Sequence, residues 1–282
     1  MLLTQWIRVF RRTGAGVVTD LSLDLQDETA SVTLDLQTDE YLYVAQQMPF
    51  NNLYFDLVTP NATGSNVTVE LWDGSTWKSA VDLLDGTRLN GAFLGRDGVL
   101  QWSPDRDESW QPITDTRDEE PAFLLQNDVV LYDQYWMRLS VSVNLDAGTT
   151  LNAIDYKFAV DKQLEDLDPE IDNFLTSWEA GKTDWERQLR VGSSHVVQDL
   201  KVRGLIVHPG QILRMDDVSW ATAYKTLEII YTRLGEGYEF QQSDAKEKYK
   251  HFLNQKRFTF DRNRDALVSA GEVSRTVAEG VR

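Results

Sequence analysis

The chain has 282 residues, 11% of them aromatic, and a formal net charge of −17. That length suits one large domain or two ordinary ones. The absence of Cys excludes disulfides and thiolate metal sites and fits a reducing cytoplasm, and no apolar run approaches the ~20 residues of a membrane span. The first twelve residues, MLLTQWIRVFRR, alternate and carry their charges late, the wrong order for a secretory signal. The glycosylation patterns at Asn61-Ala62-Thr63 and Asn66-Val67-Thr68 therefore carry almost no weight. Charge is unevenly placed. Residues 1–160 hold 10 basic against 24 acidic residues, and residues 161–282 hold 18 against 21. An acidic first half argues against broad nucleic-acid contact there and favours solubility or a basic protein partner.

Residues 1–160 read as all-β. Gln5 to Phe10 alternates, and LSLDL and SVTLDL read as two strands around a turn at Gln26-Asp27-Glu28. Glu40 to Gln46 and LYFDLV follow. VTVELW and TWKSAVDL flank Asp73-Gly74-Ser75 as a hairpin. Asp85-Gly86-Thr87 and Arg96-Asp97-Gly98 mark further turns, and VLQW ends at Pro104. Residues 104–128 read as a long charged loop with a short helical turn near Trp110. Tyr135 to Asn144 is the clearest strand, and Ala153 to Val160 closes the set. About nine strands at this spacing predict a sandwich of two antiparallel sheets.

The period then changes from two to the helical one. Asp168 and Pro169 suit a helix start, and Ile171, Phe174, Leu175, Trp178, Trp185 and Leu189 share one side. Gly192-Ser193-Ser194 is expected to separate this helix from a second, His195 to Arg203. A third runs from Pro209 to Leu234, where Trp220, Ala223, Tyr224, Leu227, Ile230, Tyr231 and Leu234 recur at three and four and Gly235 ends it. Asp216 and Asp217 interrupt its start. A fourth, Ser243 to Lys256, sets Lys246, Lys248 and Lys250 among Tyr249, Phe252 and Leu253. Its spacing reads as a buried stripe with a solvated basic face. Arg257 to Phe260 is extended, and residues 273–282 read as frayed or partner-dependent. The expected fold is α+β. An antiparallel β-sandwich over 1–160 precedes a helical bundle over 161–257 and an extended arm over 258–282.

No catalytic signature accompanies this pattern. His195, His208 and His251 lie outside any HExxH arrangement, and no nucleophile elbow, phosphate loop or dinucleotide fingerprint is present. Asp261, Asn263, Asp265 and Glu272 match part of a calcium loop, but Ala266 stands where a glycine makes the sharp turn. A turn held by Asp and Asn side chains is the alternative. Trp6, Trp72, Trp77, Trp102, Trp110 and Trp136 read mainly as core and rim packing, with Trp77 and Trp110 as a possible glycan platform.

The helical half resembles head-to-tail connector (adaptor) proteins of tailed bacteriophages. The features are the helix with Trp178, the apolar helix 210–234, the Tyr/Lys-rich helix after it and the exit RFTFDRNRDALVSAGE. The β half is similar to sandwich domains of phage structural proteins. It carries Trp72-Asp73-Gly74-Ser75-Thr76-Trp77, Asp85-Gly86-Thr87, Leu100-Gln101-Trp102-Ser103-Pro104, Trp110 and Tyr135-Trp136-Met137-Arg138. The resemblance implies a non-enzymatic virion protein without cofactors, assembled in the host cytoplasm. It implies a ring, typically twelve-fold, between the portal protein and a tail terminator or stopper, with DNA passing through without sequence-specific binding. The docking arm would use Arg257, Phe258, Phe260, Arg262, Arg264, Arg275 and Arg282. A carbohydrate-binding or baseplate module and, behind it, a glycan-active enzyme are the rival readings.

Overall fold

The structure, a computed structural model, describes residues 7–26, 30–105, 110–115, 131–255 and 258–267. It is α+β, with antiparallel sheets in the first part of the chain and five helices in the second. The chain divides into two compact units. The first comprises residues up to Asp155 together with Asn263–Leu267, and the second comprises Tyr156–Arg262.

In the first unit, β1 (Arg8–Arg12), β2 (Val18–Asp20), β4 (Tyr41–Gln46), β6 (Val67–Trp72), β7 (Trp77–Ser79) and β11 (Tyr132–Val141) form one sheet in the order β2-β1-β4-β11-β6-β7. β10 (Pro112–Asp115) also pairs with β11. The second sheet is β3-β12-β5-β9-β8, from β3 (Val32–Thr33), β5 (Asn52–Thr59), β8 (Val81–Asp85), β9 (Gly98–Ser103) and β12 (Thr150–Asp155). Every pairing is antiparallel. Successive strand residues point to opposite faces, yet Leu42, Tyr43, Val44 and Ala45 of β4 are all buried. The first sheet is therefore covered on both sides. On one of them Phe10, Val18, Tyr43, Ala45, Trp72, Ile113 and Trp136 form a single cluster.

Local reading fails in two places here. LSLDL makes a 3-10 turn, Asp24–Gln26, because Leu21 and Leu25 are both buried and the turn brings them to one side. The segment with Trp110 precedes strand β10, with no helical turn at residues 110–115. The rest of that loop lies outside the described residues.

In the second unit α1 (Asp161–Leu167) begins before the expected start, so Asp168 follows a helix rather than opening one. The long helix expected from Pro169 is a 3-10 turn, Ile171–Phe174, and a single α-turn, α2 (Leu175–Trp178). It stops before Gly181, whose φ of +83° a helix cannot accommodate. α3 (Glu186–Val202) then runs straight through Gly192-Ser193-Ser194. A Cβ on Gly192 would overlap Thr226 Oγ1 and come within 3.2 Å of the Thr222 carbonyl oxygen. That glycine allows α3 to pack closely on α4 (Met215–Leu234) and does not break a helix.

α4 is buried on two sides. Ala223, Leu227, Ile230 and Tyr231 join Leu164, Ile171, Trp185, Leu189 and Ala245 in one cluster. Val218, Ala221, Thr222 and Thr226 are buried as well. The two threonines return their hydroxyls to carbonyls four residues back, Thr222 to Val218 at 3.0 Å and Thr226 to Thr222 at 2.8 Å. This satisfies polar groups that burial would otherwise penalise. Pro209–Gln211 is a separate 3-10 turn. Asp216 and Asp217 sit in the first turn of α4, where carboxylates complement the helix dipole, rather than interrupting it. α5 (Glu239–Gln255) starts four residues before Ser243.

Candidate docking site

Spacing along α4 places Tyr224, Leu227 and Tyr231 on one strip. With Leu167, Asp168, Glu170 and Phe174 on one side and Tyr238, Phe240, Gln241, Asp244 and Ala245 on the other, they line an open groove of about 370 Å³. Leu167, Leu227 and the aromatic rings make an apolar floor. The Tyr231 and Tyr238 rings stack at 6.1 Å, and Phe174 meets Tyr238 edge-on at 5.3 Å. The Tyr231 hydroxyl donates to Asp168 Oδ2 at 2.6 Å, which fixes that wall and, with burial, raises the phenol pKa. Phe240 is 81% exposed at the rim.

The rim is acidic, and the residues lining the groove include no Lys or Arg. Just outside it, Lys248 Nζ lies 2.7 Å from Asp244 Oδ2 and 5.6 Å from the centre of the Tyr224 ring. The edge of the groove thus holds an ammonium between a carboxylate and an aromatic face. The apolar face of α4 with Tyr224, Leu227 and Tyr231 was expected from the sequence; the acidic rim and the Lys248 contact were not. The available signal was Phe240, an aromatic residue in a polar stretch just after Gly235 and Gly237.

The residues assigned to a docking arm divide. Phe258 and Phe260 are 1% and 0% exposed, and their rings stack at 5.4 Å. The Thr259 N–H donates to Asp217 Oδ2 at 2.8 Å, Asp261 N–H donates to the Gln211 carbonyl at 2.8 Å, and Leu213 N–H donates to the Thr259 carbonyl at 3.3 Å. The Gln211 side chain accepts from the backbone N–H groups of Val207 and His208 and donates to the Asp261 carbonyl. Residues 258–261 are therefore strapped to the root of α4 and are not an open arm, because two buried phenyl rings fix them. Arg262 and Arg264 are exposed. Arg257, Arg275 and Arg282 lie outside the described residues.

The glycan platform loses both members. Trp110 is 7% exposed, donates its indole N–H to the Trp136 carbonyl at 3.0 Å and packs against Phe50. The crevice beside it has room for about 10 Å³, the scale of one water. Trp77 is half-buried, edge-on to Tyr43 and Trp72, with Arg138 over its ring at 4.7 Å. Arg138 also covers Tyr41 at 4.4 Å and pairs with Glu70 at 2.6 Å. Trp6 lies outside the described residues.

In the calcium pattern, Asp261 is fully buried, within the second unit. In the first unit, Asp265 accepts from Asn263 Nδ2 at 2.9 Å and from Leu267 N–H at 2.8 Å. Ala266 takes the left-handed conformation with a φ of +58°. Asp265 thus closes a turn of its own, while Glu272 lies outside the described residues. Among the described residues no group of three His, Asp or Glu side chains is placed to hold a metal ion, and no helix is long and apolar enough to cross a membrane. His208 is buried and accepts from the Gly210 N–H at 3.0 Å, whereas His195 and His251 are exposed.

One buried charge cluster was also missed. Lys157 is 4% exposed and pairs with Glu186. The Asp161 carboxylate accepts the Trp185 N–H at 3.2 Å, at the start of α3. The cluster's pairs are 24 and 29 residues apart, between the stretch 157–161 and the start of α3, so no local pattern announces them. The chain matches no protein-family model, no curated protein and no solved structure in the comparisons made.

Proposed function

We propose that the chain is a non-enzymatic virion structural protein, a head-to-tail adaptor in the neck of a tailed bacteriophage. In this reading a β-sandwich domain over 1–160 decorates the outside, and a helical bundle over 161–257 docks. Copies form a ring, taken as a dodecamer, between the portal and a tail terminator or stopper. DNA passes without being read, since like charge disfavours phosphate binding.

The observation that carries the reading is the open groove beside α4, with Phe240 exposed at its rim. A helical unit with an unfilled aromatic face suits a protein whose task is to be joined to others. The strap takes Phe258 and Phe260 out of the arm, and the exposed Arg262 and Arg264 are the described residues of it that could still meet a partner. The aromatic surface of the first unit is largely consumed by its own packing, which favours decoration over glycan capture.

Electron microscopy of the purified chain, alone and mixed with portal rings, tests the proposal. Rings seated on the portal are the expected result. A chain that stays off portals and is found only at the distal tip of virions would overturn it.

A further inference from the structure

Three features compete for a further role. The Asp161–Glu186–Lys157 cluster already pairs its one buried cation with Glu186, and its residues line neither the groove nor the crevice beside Trp110. The Arg138 cluster is a cation site already filled by the chain's own guanidinium. The groove beside α4 remains, and its chemistry is specific.

We infer that this groove is a docking site for a basic, amphipathic segment of another protein. The segment would set a Lys or Arg against Asp168 and Glu170 and an apolar side chain against Phe174, Leu227 and Phe240. Charge complementarity argues for the occupant. Three carboxylates line the groove, those of Asp168, Glu170 and Asp244; Lys248 pairs with Asp244 from outside, and none of the lining residues is basic, which leaves Asp168 and Glu170 to a partner's cation. An acidic segment would meet repulsion there, and a purely apolar one would desolvate the carboxylates without pairing them. The chain also displays the recognition chemistry itself. Lys248 is held between Asp244 and the Tyr224 ring at the groove's edge, combining an ion pair with a cation–aromatic contact.

Size and exposure argue for a polypeptide. The groove opens to solvent, and its 370 Å³ admit several side chains. An aromatic residue 81% exposed at the rim of a groove is the kind of anchor that carries binding energy between proteins. The inference does not rest on the neck assignment.

The test uses the full-length chain and a labelled synthetic peptide with Leu at helical spacing and Arg on the flanking positions. A second peptide carries Glu for every Arg. Fluorescence anisotropy at low salt reads binding. Glu170 and Phe240 are both exposed, so Glu170→Arg and Phe240→Ala leave the fold intact. Glu247, exposed on α5 and outside the groove lining, supplies the charge-matched control Glu247→Arg. The Arg peptide is expected to bind saturably, to weaken by about tenfold with Glu170→Arg or Phe240→Ala, and to be unaffected by Glu247→Arg. The Glu peptide is expected not to bind.

Equal loss with Glu247→Arg would mean that the peptide senses only net charge, and would overturn the site. So would failure of the Arg peptide to bind, or binding untouched by both groove variants. Analytical ultracentrifugation covers one more occupant. An oligomer that Phe240→Ala dissolves, and that the Arg peptide cannot enter, would give the groove to a second copy and overturn the assignment to a different protein.

Discussion

Asp161 is a half-buried carboxyl whose pKa is pushed up to about 7, first by burial and then by the charge of Glu186. His208 is pushed down to about 3, first by burial and then by Lys201. The signs oppose each other. A carboxyl raised from its ordinary value binds a proton in the folded state that the unfolded chain releases, so its contribution falls as pH rises from about 4 to about 7. A histidine held neutral makes stability fall as pH drops from about 6.5 to about 3. Each slope is at most about 1.4 kcal/mol per pH unit, and across their shared window they offset. Asp161→Asn keeps an acceptor for the Trp185 N–H and removes one slope. Urea titrations should show the variant more stable than the parent by about 1–3 kcal/mol at pH 8. Its stability should drop on acidification toward pH 4, where the parent is nearly flat. Parallel pH profiles would show that Asp161 does not titrate in this range. Arg138 acts at the same scale, joining Glu70 to the Tyr41 and Trp77 rings. Arg138→Ala leaves a half-buried carboxylate and two uncovered rings, and should cost about 1–2 kcal/mol by the same measurement.

Among the elements, the contact between α3 and α4 is the most sensitive to small volumes. Gly192→Ala should destabilise by about 1–3 kcal/mol, because the methyl meets Thr226 Oγ1 and the Thr222 carbonyl. Thr226→Ala removes one of those atoms. Combined with Gly192→Ala it should lose less than the sum of the two singles, which a double-mutant cycle in urea reads directly. Strict additivity would mean that the helices do not meet there. The same glycine explains what local pattern could and could not convey. Strand alternation and the apolar period of residues 220–234 reflect each segment's own burial, and the sheets and the core of α4 were legible from them. Gly192-Ser193-Ser194 carries a breaker's composition, and its helical state depends on residues more than thirty positions away. The starts of α4 and α5 moved because capping reflects local geometry that composition only hints at, whereas α4 ends at Leu234 before Gly235 as expected. The groove was illegible for a related reason. Its walls come from three separate stretches of chain, and Phe240 is the one exposed aromatic among them.

The whole molecule brings its chain back to the root of α4. Phe258 and Phe260 are core residues there, so Phe260→Ala should cost about 3–4 kcal/mol, read as a lowered Tm or urea midpoint. Under the neck proposal, Arg262→Glu with Arg264→Glu should abolish attachment to portal rings, with circular dichroism reporting that the chain is still folded. A double variant that still attaches would remove those arginines from the interface. The strap also has a mechanical side. Two backbone hydrogen bonds tie Gln211 and Leu213 to Asp261 and Thr259, and the hairpin of α4 and α5 lies between them as a closed loop. Tension applied to the chain past Asp261 passes into the start of α4 and skips both helices. While those bonds hold, neither helix carries the load, and α5 cannot be peeled from its C-terminal end. A pull applied at Arg262 would move the second unit as a whole.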